Sequence, residues 1–406
     1  MSEKIMVLVI TLLLVTLCLC AAQAAENSKK PGPQIYDLSP DDFVIMPWTW
    51  LPGDEKVLSD LKDCGFNMAG FVAPEDVPVV KKVGLKCIVY DKRMSNQTSG
   101  LSKEEIDQRA KDVIAPFKGN STVRGYYLRD EPTADMFETL ANWRNAIARE
   151  DPKALAYIDL FPMVIGNYDQ YVDKYISMVK PEFLCYDHYA LFDDGTVRDT
   201  LYQNLEIIRK KAMQQNIPYW NIILSNTHFN YALPSQAGFY IQVYSSLAYG
   251  VRGLGYFTYI APSHGNFRDA PLDPFLNKTP TWDMVRNVNL QVHQLAPTYL
   301  KLKSINVFHY PNVPEGCSGI ETSKYIKELR NGNYLVGEFE SPDGRPYVML
   351  VNKDIHKSVN FSIIFKWPGK VMMVNQYTGA EFPAGGEADW LAPGQGVLLS
   401  LIKQDQ

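Results

Sequence analysis

Eight times between residues 43 and 300 a short β-rich apolar run gives way to a stretch whose apolar residues recur at helical spacing, and few architectures accept that alternation. The strand-like runs are Phe43–Pro47, Phe66–Val72, Leu85–Asp91, Val123–Leu128, Ala154–Leu160, Phe183–Tyr186, Tyr219–Leu224 and Gly253–Thr258, and a helical stretch over Thr281–Leu300 closes the series. Neither GxGxxG nor a Walker sequence occurs, which argues against a doubly wound nucleotide-binding sheet. The expectation is an α/β fold, a (β/α)8 TIM barrel over residues 41–302. From about Lys303 the pattern changes to short alternating strands and turns such as Ser341-Pro342-Asp343-Gly344, with no amphipathic helix. The clearest of these strands are Tyr347–Val351, Val359–Phe365, Val371–Asn375 and Gly396–Leu401, so residues 303–406 are expected to form a separate C-terminal β-sandwich.

At the other end, Lys4, the apolar run Ile5–Leu19 and the triplet Ala22-Gln23-Ala24 have the order of a secretory signal peptide over residues 1–24, followed by a Lys/Pro/Gly-rich leader over 25–40. The apolar run falls short of the roughly 20 residues a membrane span needs. A mature chain without a transmembrane span, secreted, periplasmic or at the cell surface, is the expectation. A net charge of -5 without a Lys/Arg cluster argues against a nucleic-acid partner. Cys64, Cys87, Cys185 and Cys317 have no metal-ligand spacing, and His188, His228 and His264 have no HExxH-like arrangement. No metal and no cofactor are expected. The absence of a GxSxG elbow removes the usual serine nucleophile.

Active sites of (β/α)8 enzymes lie at the carboxyl ends of the strands. There the most informative run is Gly125-Tyr126-Tyr127-Leu128-Arg129-Asp130-Glu131-Pro132, two adjacent acids at the exit of strand four. Acids in a cleft of low solvent access suit general acid catalysis, because burial raises one pKa. The alternative is that Asp130 and Glu131 merely begin the next helix, where acids suit the helix dipole.

An Asp/Asn-Glu-Pro at this exit resembles the acid/base motif of the large (β/α)8 retaining-glycosidase clan, which would make Glu131 the general acid/base. That clan's nucleophilic Glu at strand seven has no counterpart here, where the chain reads Ile222-Ile-Leu-Ser-Asn-Thr-His-Phe229. The Asp-Glu order is similar to substrate-assisted β-N-acetylhexosaminidases, including glycoside hydrolase family 123. That resemblance implies that the sugar's acetamido oxygen attacks, with Asp130 stabilising it and Glu131 protonating the leaving oxygen. A further carboxylate, Asp187 in Tyr186-Asp187-His188-Tyr189 at strand six, could instead be the second group of a two-carboxylate glycosidase, or could bind a sugar hydroxyl or fix His188.

Aromatic residues crowd the same exits: Trp48 and Trp50 after strand one, Tyr189 after strand six, Tyr256 and Tyr259 at strand eight. Their faces can cover the C–H face of a pyranose. Asn226 and His228 follow strand seven, His228 as a hydrogen-bonding wall. The expectation is a glycoside hydrolase acting on an oligo- or polysaccharide or a glycoconjugate, with Asp130 and Glu131 in one pocket with Tyr189, Tyr256 and at least one of Trp48 and Trp50. A non-catalytic sugar-binding barrel is the reading from a different class, suggested by the absent strand-seven Glu.

Overall fold

The computed structural model describes residues 43–95, 100–163, 166–198 and 200–403. The expected signal peptide and leader lie outside the described residues. The parallel strands are β1 (Val44–Pro47), β2 (Met68–Val72), β3 (Lys86–Val89), β4 (Val123–Asp130), β5 (Leu155–Asp159), β6 (Leu184–Asp187), β7 (Tyr219–Leu224) and β8 (Gly253–Phe257). They form two four-stranded sheets in the orders β1-β8-β7-β6 and β2-β3-β4-β5. Parallel bridges from Trp50 to Phe71 and from Leu160 to Tyr186 join the two sheets, so the strands close into a ring in chain order. The helices that follow the successive strands are α1 (Glu55–Asp63), α2 (Val77–Val83), α3 (Lys103–Ile114), α4 (Phe137–Glu150), α5 (Tyr168–Val179), α6 (Thr200–Gln215), α7 (Gln236–Tyr249) and α8 (Pro280–Tyr299). This is a (β/α)8 barrel.

Local chemistry sets the helix ends. The Asp54 side chain accepts from Val57 N at the start of α1, and Ser102 and Glu105 form a reciprocal capping box on α3. Gly250 ends α7 in the left-handed conformation, where a side chain would be strained.

A six-stranded antiparallel sheet follows the barrel, in the order β16-β15-β18-β12-β11-β9. Its strands are β9 (Lys303–Tyr310), β11 (Tyr334–Glu340), β12 (Pro346–Asn352), β15 (Gly369–Val374), β16 (Glu381–Pro383) and β18 (Gly396–Lys403). Two ribbons pack on one face: β10 (Ile326–Arg330) with β14 (Ser362–Phe365), and β13 (Val359–Asn360) with β17 (Trp390–Leu391). The run Val359–Phe365, expected as one strand, therefore divides at Phe361, whose N–H bonds Asp389 O instead of continuing a ladder.

The other sheet face packs on α7, and Leu335, Met349, Val351 and Leu398 share a core cluster with Leu247 and Ala248. Burying four such side chains is worth roughly 6–12 kcal/mol gross, as large as a typical net stability. The sheet is thus a continuation of the barrel core, not a separate body. Helix α7, buried from Gly238 to Tyr249, needs no polar face because it lies between two layers. At the closest approach a Cβ on Gly337 would lie 2.0 Å from the Ala248 carbonyl oxygen, so only glycine fits.

Strand β11, central but not singled out in the sequence, carries a wholly buried Glu338. It accepts from Ser323 Oγ (2.6 Å), Lys324 N and Tyr325 N (2.8 Å each) and Asn306 Nδ2 (2.9 Å). The four described cysteines are unpaired.

Candidate active site

Side chains of a strand alternate between the ring's interior and the helix layer. One buried cluster fills the interior: Val44, Met46 and Trp48 at strand one, Tyr127 of strand four, Tyr157 of strand five, Phe183 and Cys185 at strand six, Trp220 and Ile222 of strand seven, with Leu155, Tyr189 and Phe257 against it. By the same parity Asp159 and Asp187 top the interior rows of β5 and β6.

Strand β4 reaches that position by a different route. Its register against β5 runs Tyr127↔Tyr157, Arg129↔Ile158, Asp130↔Asp159, so β4 carries one extra residue between Tyr127 and Arg129. This bulge re-aims the strand end and brings Asp130 level with Asp159. Glu131 follows with φ 41, a rare backbone for a residue with a Cβ, and its N–H bonds Asp159 O at 2.9 Å. A left-handed residue at the end of the bulged strand lets two consecutive acids share one mouth, where an unbroken strand would send them to opposite faces. It also settles the alternative left open above: Glu131 does not begin a helix, since α4 starts only at Phe137.

The four carboxyls interact in pairs. Burial, then the neighbouring Asp130 charge, push Glu131 up to about 7, against a hydrogen bond with Asp187 that favours its ionised form. Asp187 is raised well above the usual carboxylate range by burial and then by the charges of Glu131 and Asp130, and its Oδ1 is buried without a partner. Asp159 is raised strongly by burial, then by the charge of Asp130 and a hydrogen bond with it, while Trp48 Nε1 donates to its Oδ1 at 3.3 Å. The signal for Asp159 was an acid closing an otherwise apolar run, Ala154-Leu-Ala-Tyr-Ile-Asp159, that the sequence reading passed over.

A continuous aromatic lining adjoins the acids, with Trp48 meeting Phe257 edge-on at 5.6 Å. Trp48 also meets Trp50 and Phe71 edge-on at 5.4 Å each, and Tyr90 and Tyr127 extend the lining from there. From Phe257 it runs to Tyr189, stacked at 5.5 Å, which favours the ionised form of Asp187 and meets His228 at 6.1 Å. His228 is held neutral by burial, its pKa lowered to about 4.

The structure thus brings together Asp130, Glu131, Asp187, Trp48, Trp50, Tyr189 and His228, and keeps four other candidates away. Tyr256 and Tyr259 face the helix layer. The Tyr256 hydroxyl donates to Asn289 Oδ1 on α8 at 2.6 Å, that of Tyr259 accepts from Trp282 Nε1 at 3.2 Å, and both rings pack on Phe66. The expected place of Tyr256 belongs to Phe257, one residue on and therefore inward. His188 falls on the outer parity beside Asp187 and contacts Thr200 Oγ1 at the start of α6 through Nε2, at 3.0 Å. Asn226 lines a small pocket against α7 with Ala232, Pro234 and Gln242. Tyr256, Tyr259 and His188 are packing or hydrogen-bonding residues of the outer layer, and Asn226 is buried with its Oδ1 unpartnered.

No protein-family model matches the chain, and no curated protein matches it by sequence. Among solved structures, the fold is similar to one described as a glycoside hydrolase, with a TM-score of 0.57 at 12% identity, covering 90% of this chain and 96% of that one. It is also similar to a glycoside hydrolase family 5 protein from Bacteroides vulgatus, with a TM-score of 0.55 at 11% identity and 89% of each chain covered. A β-galactosidase from the psychrophilic Marinomonas ef1 matches with a TM-score of 0.50 at 8% identity over 64% of this chain, which spans only 62% of that protein's length. At these identities the likeness is one of fold: a (β/α)8 barrel continued by an antiparallel β-layer.

Proposed function

We propose that this protein is a glycoside hydrolase in which Glu131 is the general acid/base. The observation that carries the reading is the cluster of Asp130, Glu131, Asp159 and Asp187 at the mouth of a barrel lined with aromatic rings, in which burial and the Asp130 charge push Glu131 up to about 7. A proton donor to a leaving oxygen must hold its proton at working pH, and an ordinary glutamate would have lost it. The aromatic faces suit a pyranose, and the similar solved folds described as glycoside hydrolases agree with the assignment.

Two schemes supply the missing nucleophile. The adjacency of Asp130 to Glu131, with Asp159 as the partner of Asp130, supports substrate assistance on a 2-acetamido sugar with Asp130 as stabiliser. The electrostatic interaction between Glu131 and Asp187 supports a two-carboxylate enzyme, in which Asp187 is the second carboxyl. Retention or inversion in this scheme is read from the anomer first released, since the two outcomes need carboxyls about 5–5.5 Å and about 6.5–9.5 Å apart. Assays of aryl hexosides beside their 2-acetamido analogues separate the schemes. Equal rates with Asp187→Ala inactive favour the carboxylate pair, and turnover confined to acetamido sugars with Asp187→Ala active favours assistance. No turnover of any glycoside refutes the hydrolase reading.

A further inference from the structure

Beyond the acid cluster, the aromatic lining at Tyr189 continues outward. From Tyr189 the ring contacts run to His228 at 6.1 Å, then to Phe229 at 4.9 Å, while Phe267 stacks on His228 at 4.7 Å and an interplanar angle of 8°. Phe229 therefore lies no more than about 11 Å from Tyr189, yet it is 71% exposed.

Its backbone is also unusual. Phe229 has φ 47, in the left-handed region that a bulky residue occupies at a free-energy cost. The side chain of Asn266 holds both of its backbone polar groups, accepting from Phe229 N at 2.8 Å and donating to Phe229 O at 2.9 Å. A reciprocal backbone pair between Thr227 and Arg268, at 2.9 and 3.0 Å, zips the loop after β7 to the loop after β8 just behind it. An exposed aromatic ring and a strained backbone each cost free energy, and a dedicated amide clamp holds both in place. Together they display an apolar ring to solvent, no more than about 11 Å from Tyr189. A flat ring presented this way matches the C–H face of a sugar, and fixing it beforehand lowers the entropy lost on binding.

We propose that Phe229, clamped by Asn266, is a distal stacking platform, so that the substrate is an oligo- or polysaccharide chain reaching beyond the bond that is cut. This rests on the hydrolase reading for its catalytic end but not for its binding.

The test compares di- and hexasaccharides of cellulose, xylan, mannan and chitin with the corresponding aryl monoglycosides. Phe229→Ala is expected to lower kcat/KM on the hexasaccharide relative to the aryl glycoside by about tenfold, chiefly through KM, as loss of one stacking contact implies. Asn266→Ala, which keeps the ring but frees it, should reproduce part of that loss. Hexasaccharide binding to Glu131→Gln protein is measured in parallel by calorimetry, with and without Phe229→Ala. If hexasaccharide binds in a Phe229-dependent way while no glycoside is cleaved, the platform stands and the hydrolase reading falls. If glycosides are cleaved and Phe229→Ala affects short and long substrates alike, or neither, the platform is overturned and the hydrolase reading stands. No saccharide binding and no cleavage overturns both.

Discussion

Neutralising Asp130 should move the pH profile of the enzyme in a direction fixed by the site. Glu131 titrates at about 7 because burial, and then the Asp130 charge, disfavour its ionised form. The two residues are consecutive, with Cα atoms about 3.8 Å apart. For carboxylates on the order of 6 Å apart at an effective dielectric constant of about 20, the repulsion would be ~2.8 kcal/mol, or about two pKa units, and solvent screening at the half-buried site reduces it to about one. Asp130→Asn should therefore lower the Glu131 pKa by about one unit. A general acid works only while protonated, so the basic limb of kcat/KM should shift from about pH 7 toward about pH 6. Asp187→Ala should act oppositely, because it removes a hydrogen bond that favours ionised Glu131. The assay is kcat/KM against pH on an aryl glycoside with a poor leaving group, read on residual activity where the variants are slow. A basic limb that stays at about pH 7 in Asp130→Asn, or moves up, would refute the account of Glu131 as an acid held protonated by its neighbour.

Three further outcomes follow from the same structure. The folded pKa of Glu131 is raised to about 7, so its contribution to stability is lost as pH rises from 4.5 through about 7, while buried His188, His228 and His309, lowered to about 4, 4 and 3, act in the opposite sense over much of that range; the Tm of Glu131→Gln relative to the parent protein should therefore rise with pH across it, and a constant difference would refute the raised pKa. Gly337→Ala drives a methyl group into the Ala248 carbonyl and should cost about 2–3 kcal/mol or more in denaturant unfolding, with an unchanged Tm arguing that the sheet does not seat on α7 as described. Glu338→Ala strands four buried donors and should cost about 3 kcal/mol, whereas Glu338→Gln, which keeps an acceptor oxygen, should cost less; equal losses would mean that volume and not hydrogen bonding matters there.

Hydrophobic periodicity is a local property, and the barrel was legible in it. The alternation of β-rich and helical runs specifies strands, helices and their order, and with short connections that order leaves little beyond a closed ring. The position of Asp130 and Glu131 at a strand exit was legible too, because they close an apolar β-rich run just before a proline. What the sequence could not contain was facing. Tyr256 and Phe257 are neighbours in the chain and look equally suitable, yet one residue of parity sends Tyr256 to Asn289 in the helix layer and Phe257 to the stack on Tyr189. His188 and Asp187 divide in the same way. Asp159 was overlooked because its partners, Trp48 and Asp130, come from two other strands and meet it only when the ring closes. The extra residue in β4 and the left-handed backbone at Glu131 exist only as a register against β5. Composition and spacing chose the elements; the pairing of strands far apart in the chain decided which side chains share the cleft, because a shift of one residue in a strand exchanges its two faces.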